Sequence, residues 1–300
     1  MNIIRAMSRI EPRPRELRII GAAWGLGARD RGCAEGPAAL AAGRPVELLK
    51  ARGVTAEWRD TVIPVAAEDP IDAIADGCRR LAGLVEGAIR DGAVPAVVGG
   101  DHSSGIGTWS GVRRALDGDL GLVWVDAHMD AHTPETTPSG AVHGMPVACL
   151  LGHGDPRLAT LVPGGPAVRP ANLALVGIRS HESGEAALLA DLGVKVYAMD
   201  EVRRRGFGTV LAEAVERVRR EAVGFGISID LDAVDPHGAP GVGSPVPGGL
   251  RGPDLVAGFD WATRQPGYLG CELAEFNPHL DPDGRTARLI VDLLAAGVKG

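Results

Sequence analysis

The sequence has 300 residues, of which 45% are hydrophobic and 4% aromatic, and its formal net charge is −7. This charge argues against a nucleic-acid partner, which requires a basic face, and no apolar run is long enough to predict a membrane span. The four cysteines show no CxxC spacing, which predicts reduced thiols and a cytoplasmic protein.

The N-terminal half alternates between strand-like and helix-like segments. Residues 1–16 are charged and interrupted by proline, so we expect a flexible extension and not a secretory signal. The apolar run Leu17–Ala22 predicts a strand, and apolar residues recurring every three or four positions over 71–89 predict a helix. Two further apolar runs, within 93–103 and over 120–128, predict strands that end in polar residues.

The C-terminal half continues the alternation. We predict strands over 173–178, 194–199, 224–232 and 268–276, and helices over 207–222, 253–265 and 285–298. Strands that alternate with helices indicate an α/β fold with one doubly wound, mainly parallel sheet, which we assign to a single domain over 17–300. The long irregular segments 130–146 and 232–251 are expected to carry function, because ligands bind beyond the carboxyl ends of parallel strands.

Three of the predicted strands end in acidic or imidazole side chains. The motifs are GGDHS with Asp101 and His102, VDAHMD with Asp126, His128 and Asp130, and SIDLDAVDP with Asp230, Asp232 and Asp235. Residues two apart in an extended chain point to the same side, so we expect these groups to converge at one edge of the sheet. So many ionised carboxylates without a cation would raise one another's pKa values sharply. A metal site therefore explains them better than a solvated acidic loop.

The donor set predicts the kind of metal. Two imidazoles and four carboxylates without a thiolate favour a fairly hard cation such as Mn²⁺ over structural zinc. They exceed what one tetrahedral ion needs, which favours two ions that share a bridging carboxylate and a water molecule. Each motif alone has an ordinary explanation, as a chance match or as a strand followed by a turn. Their joint occurrence after apolar strands indicates the metal site.

The motifs GGDHS, WVDAHMDAHTPETTPSGAVHG and SIDLDAVDP closely resemble the signatures of the arginase (ureohydrolase) family, and the similarity covers nearly the whole chain. The resemblance implies a three-layer αβα sandwich with a mainly parallel eight-stranded sheet. It implies two Mn²⁺ ions per subunit, a homotrimer or homohexamer, and hydrolysis of a small guanidino substrate to release urea. L-Arginine, giving L-ornithine, is the favoured substrate.

The resemblance also implies roles for individual residues. The implied ligands are His102 and Asp130 for one ion, His128 and Asp232 for the other, and Asp126 and Asp230 as bridges. Asp130 would also hold the nucleophile and accept its proton. His143 matches a mobile histidine that shuttles protons, and Glu275 matches a carboxylate that binds the guanidinium.

The loop TPETTPSG resembles that of arginases more than that of agmatinases. The implied substrate-binding residues besides Glu275 are His132, Thr137, Ser139, Glu182, Glu185 and Ser244. The two hydroxyls of the loop would bind the α-carboxylate, and Glu182 and Glu185 would bind the α-amino group. His132 and Ala141 stand where arginases commonly carry asparagine, and Ala141 removes one carboxylate contact worth ~1.5–3 kcal/mol. 4-Guanidinobutyrate and agmatine therefore stay open as alternative substrates.

Other classes of protein fit the sequence less well. The glycine-rich segment after the first strand does not match GxGxxG, which argues against a dinucleotide-dependent oxidoreductase. A non-catalytic guanidino sensor would not need a proton shuttle such as His143. The single-zinc deacetylases that share the architecture carry a tandem histidine pattern that this chain lacks. The same donor set could also accept nickel, cobalt or iron in place of manganese.

Overall fold

Eight parallel strands form one sheet in the computed structural model, which describes residues 16–298. The strands are β1 Leu17–Ala22, β2 Ala56–Val62, β3 Val94–Gly99, β4 Leu120–Val125, β5 Leu173–Ile178, β6 Lys195–Ala198, β7 Gly224–Asp230 and β8 Tyr268–Ala274. Their order is β2-β1-β3-β8-β7-β4-β5-β6, and every pairing is parallel. The carboxyl ends of β3, β8, β7 and β4, four adjacent strands, therefore lie side by side.

Helices cover both faces of the sheet. They are α1 Gly36–Ala42, α2 Pro45–Ala51, α3 Pro70–Arg90, α4 Ser104–Arg114, α5 Pro146–Leu150, α6 Pro156–Ala159, α7 Ser183–Asp191, α8 Met199–Arg205, α9 Phe207–Arg219, α10 Gly252–Thr263 and α11 Arg285–Ala296. A hydrophobic core lies between the sheet and the helices on each face, because alternate residues of a strand face opposite sides of the sheet. On β4, Val123 and Val125 belong to one core, and Leu122 and Trp124 belong to the other. The predicted three-layer sandwich is confirmed.

The long helix α3 shows how the apolar pattern specifies an element. Asp69 caps its first turn by accepting a hydrogen bond from the backbone N–H of Ile71, and Pro70 occupies the first helical position. Ile74, Cys78 and Leu81 line the buried face at spacings of three and four. The helix predicted over 71–89 is confirmed with one further residue at each end.

Strand ends and the edge of the sheet differ from the sequence expectations. β4, β7 and β8 were expected to reach residues 128, 232 and 276, but they end at Val125, Asp230 and Ala274. β2 was not predicted, because it is an edge strand whose sequence AEWRDTV is largely polar and partly exposed.

The flexible extension expected over 1–16 lies, apart from Glu16, outside the described residues, and the single domain over 17–300 stays a prediction. None of the helices within 16–298 has the length and apolarity that a membrane span requires.

Candidate metal centre and active-site cavity

One cluster of donors surrounds His102, directly beyond β3. Nδ1 of His102 lies 3.1 Å from Oδ2 of Asp230 and 3.2 Å from Oδ2 of Asp130. Oδ2 of Asp126 is 3.3 Å from the same nitrogen. All four side chains are buried. The segments that follow β3 and β4 and the last residue of β7 thus meet at one point, because these strands end at the same edge of the parallel sheet.

A second cluster lies beside the first and shares Asp126 with it. Nδ1 of His128 is 3.0 Å from Oδ2 of Asp232 and 3.6 Å from Oδ1 of Asp126. Within each cluster the potential ligand atoms lie within 4.8 Å of one another. Asp230, expected as a second bridge, belongs only to the first cluster in this arrangement. The structure brings all six predicted ligands together, and their roles stay a prediction.

Tight turns, and not extended strands, direct these carboxylates. Oδ1 of Asp126 accepts a hydrogen bond of 2.7 Å from the backbone N–H of His128. Oδ1 of Asp230 accepts one of 2.8 Å from the N–H of Asp232, at the start of a 3₁₀ turn over Leu231–Ala233. Asp130 adopts a positive φ of 51°. The expectation that strand alternation aligns these groups is wrong, because aspartate side chains bind the backbone two residues on and end the strands.

Two buried polar atoms in the first cluster make no hydrogen bond within residues 16–298. They are Nδ1 of His102 and Oδ2 of Asp130, which lie 3.2 Å apart. Unsatisfied buried polar atoms are costly. Burial and the charge of Asp126 raise the pKa of Asp130 to about 7. The cluster offers one imidazole nitrogen and several carboxylate oxygens and contains no thiolate, which is a donor set that fits divalent cations.

A cavity of about 440 Å³ opens above the two clusters. The predicted site residues that line it are His128, Asp130, His132, Ser139, His143, Glu182, Glu185, Asp230, Asp232, Ser244 and Glu275. His102 and Asp126 are absent from this lining, and both are buried. Thr137 is also outside the lining, because its hydroxyl faces its own loop and accepts a 3.0 Å hydrogen bond from the N–H of Gly140.

His143 and Glu275 form a pair in the wall of this cavity. Nδ1 of His143 lies 2.9 Å from Oε1 of Glu275, which also accepts a hydrogen bond from the backbone N–H of His102. Although burial lowers the pKa of His143, the contact with Glu275 raises it overall to about 9. Glu275 follows β8 directly and has a positive φ of 69°. The pair thus holds a protonated imidazole beside a carboxylate at neutral pH.

Another part of the wall combines two carboxylates with an imidazole. Nε2 of His132 lies 3.0 Å from Oε2 of Glu182 and 3.4 Å from Oε2 of Glu185, and its Nδ1 lies 3.2 Å from the Thr136 hydroxyl. Glu185 is buried and accepts hydrogen bonds from the backbone N–H groups of Ala131 and Glu182. Both ring nitrogens of His132 are therefore used within the protein.

The segment between β1 and α1 also lines the cavity, with Arg29 and Asp30, which were not among the site residues expected from the sequence. Asp101 anchors this segment from below, because its Oδ2 accepts a hydrogen bond of 2.8 Å from the N–H of Gly27. Burial raises the pKa of Asp101 to about 6. A sequence signal for this segment exists, since GARDRG follows β1 at the carboxyl edge of the sheet and carries two arginines and an aspartate.

Comparisons with known proteins agree with this fold and site. The model of the arginase family matches residues 15–298. Arginase of Bacillus caldovelox is 35% identical over 291 residues, which cover 93% of this chain and 97% of that protein. The crystal structure of arginase from Bacillus subtilis superposes with a TM-score of 0.88 at 34% identity and covers 95% of this chain and 99% of that one. Arginase from Entamoeba histolytica, solved with L-ornithine, gives 0.87 at 26% identity, with 95% and 98% covered.

A parallel α/β sandwich with paired His/Asp clusters beneath a cavity defines a metal-dependent hydrolase of the binuclear class. The chain belongs to the arginase family. The family and the enzyme class predicted from the sequence, a hydrolase acting on the guanidino C–N bond, are confirmed.

Proposed function

We propose that this protein hydrolyses L-arginine to L-ornithine and urea with two Mn²⁺ ions per subunit. The observation that carries the proposal is a single cavity that holds donors for metal at one place and paired carboxylates at another. Relatives and structural neighbours that are named arginases support the same reaction.

The six clustered side chains would hold the metal ions. His102, Asp130 and Asp230 surround one position, His128 and Asp232 the other, and Asp126 takes part in both. Divalent ions bound there would lower the pKa of a water molecule and so supply a nucleophile at neutral pH. Manganese suits this set of oxygen and imidazole donors.

The residues of the cavity wall supply the proton transfers. The water oxygen attacks the guanidino carbon, the bond from that carbon to the side-chain nitrogen breaks, and the departing amine takes up a proton. Asp130, whose Oδ2 lies in the cluster without a hydrogen-bond partner, accepts the proton of the attacking water. His143, protonated at neutral pH because of Glu275, donates to the departing amine. Glu275 binds the guanidinium through its carboxylate.

The opposite charges of an α-amino acid decide among the candidate substrates. Glu182 and Glu185 lie on the cavity wall, where they would attract a substrate ammonium group, and Ser139 and Ser244 line the same cavity. 4-Guanidinobutyrate has no amino group to offer these carboxylates, and agmatine has no carboxylate. L-Arginine therefore uses more of this wall than either alternative.

Assembly and location belong to the same proposal. We propose a homotrimer or homohexamer, as the family resemblance implies, and a cytoplasmic enzyme that acts on a small molecule. The location is supported by the four cysteines, which are all free and buried in the structure.

A substrate panel tests the proposed function. Protein loaded with manganese would be incubated with L-arginine, agmatine and 4-guanidinobutyrate, and released urea would be measured for each. We expect kcat/KM to be highest for L-arginine, with L-ornithine formed in equal amount. Faster turnover of either alternative under the same conditions would reassign the substrate, and absence of urea from all three would refute the reaction.

A further inference from the structure

Arg29 is a cation at the cavity that has no partner in the part of the chain the structure describes. It is exposed, lines the cavity, and makes no hydrogen bond or ion pair with any residue of 16–298. Its neighbour Asp30 is instead held in place, because its carboxylate accepts hydrogen bonds from Gly32 N–H and from the Asn277 amide. An arginine left free beside a fixed carboxylate is available to a ligand.

The side of the cavity formed by the loop after Asp130 offers few side-chain donors to a substrate carboxylate. His132 uses both ring nitrogens within the protein, on Thr136 and Glu182. Ala141 lines the cavity with a methyl group, and the Thr137 hydroxyl is outside the lining. Ser139 lines the cavity, but its Oγ already accepts a 3.1 Å hydrogen bond from the backbone N–H of Ala141. A substrate carboxylate bound by one neutral hydroxyl would be left poorly compensated.

Backbone contacts hold the Arg29 segment against the loop that carries these positions. The N–H of His143 donates a 3.1 Å hydrogen bond to the carbonyl of Gly27, and the N–H of Gly27 is anchored on Asp101. Arg29 and Ala141 each lie two residues from this hydrogen bond, and both line the cavity. Arg29 and Ala141 therefore border one cavity from two segments that are joined by a backbone hydrogen bond.

We propose that Arg29 binds the α-carboxylate of the substrate and makes the enzyme selective for the α-amino acid over its decarboxylated amine. The inference rests on the proposed function and adds the residue that determines specificity. A guanidinium presents two parallel N–H groups to a carboxylate, which gives a stronger and better oriented contact than a hydroxyl. With Arg29 near the carboxylate, and Glu182 and Glu185 near the ammonium, each charge of the amino acid meets an opposite charge.

Paired substrates that differ only in the carboxylate test the proposal. For Arg29→Ala we expect kcat/KM for L-arginine to fall about tenfold or more, mainly through a higher KM, because a charge-assisted contact is lost. Agmatine has no carboxylate, so its kcat/KM should stay the same or rise. Arg29→Lys should recover part of the loss, since it keeps the charge but not the paired N–H geometry. Arg31→Ala is the matched control, because Arg31 is exposed in the same segment and outside the cavity lining.

The outcomes separate this proposal from the proposed function. A loss shared equally by L-arginine and agmatine, or no loss with either, overturns the role of Arg29 while leaving the hydrolysis intact. An equal loss in Arg31→Ala also overturns it, because the effect would then be one of general charge. Wild-type protein that releases no urea from L-arginine refutes the proposed function itself. Inhibition by L-ornithine and by putrescine gives an independent check, since only inhibition by L-ornithine should weaken in Arg29→Ala.

Discussion

The side chains of Ser228, on β7, and His102, directly after β3, are joined by a 3.0 Å contact between Oγ and Nε2. The Ser228 hydroxyl donates its proton to buried Glu272, at 2.8 Å. Its oxygen must therefore accept from Nε2–H of His102, because a hydroxyl has one proton to give. This arrangement fixes one proton on Nε2 and turns Nδ1 toward the carboxylate cluster, so Nδ1 is the ring nitrogen that would bind a metal ion after giving up its own proton.

Replacing Ser228 by alanine should weaken metal binding without removing a ligand. The substitution removes the oxygen that accepts the Nε2–H of His102 and also removes one hydrogen-bond donor to Glu272. We therefore expect about a 10- to 100-fold loss of affinity for one metal ion. Metal titration followed by elemental analysis measures this loss. Ser110→Ala, at another buried serine on α4, is the control. Equal metal affinity in Ser228→Ala and wild type would show that the contact does not position His102.

Removing His128 should empty one metal position and leave the other. His128 belongs only to the cluster with Asp126 and Asp232, so His128→Ala should bind about one ion in place of two and lose most of its activity. Metal content per subunit and urea release are the measurements. His153→Ala, a histidine outside both clusters, should match wild type. Full metal content with an unchanged rate in His128→Ala would contradict the ligand assignment.

Removing His143 should slow the reaction without disturbing the metal. Its ring contacts Glu275 and belongs to neither metal cluster, so His143→Ala should lower kcat about 10²-fold or more while metal content stays constant. The wild-type pH–rate profile should lose activity on the alkaline side as the imidazole, whose pKa is raised to about 9, gives up its proton. Loss of manganese from the variant would instead make His143 a ligand.

Metal binding should release protons. Although burial lowers the pKa of His128, the carboxylates of Asp126 and Asp232 raise it overall to about 12, so its ring is protonated at neutral pH in the metal-free protein. An imidazole must be neutral to bind a metal ion, so the metal displaces this proton and the apparent affinity should rise with pH. Calorimetric titrations in two buffers of different ionisation enthalpy measure the release. Identical heats in both buffers would contradict it.

The apolar pattern of the sequence specifies most of the scaffold. β3, β4 and β5 are fully buried on both faces, so their continuous apolar runs predict strands of a parallel sheet. The edge strand β2 escaped prediction because its partly exposed residues carry no such signal. The strand ends escaped it as well, because Asp126 and Asp230 bind the backbone two residues on, a local competition that periodicity does not register.

The sequence by itself determined the α/β class, the family, and the six donors expected around the metal ions, because strand-end motifs are contiguous and their residue types restrict the chemistry. Only the tertiary structure decided which groups meet across the cavity. The imidazole of His132 contacts Glu182, and Thr137 lies outside the cavity lining. The segment of Arg29 is hydrogen-bonded to the loop of Ala141, and both residues line the cavity. These relationships join residues from different loops, and their distances depend on how the strands are ordered in the sheet, which no local pattern encodes.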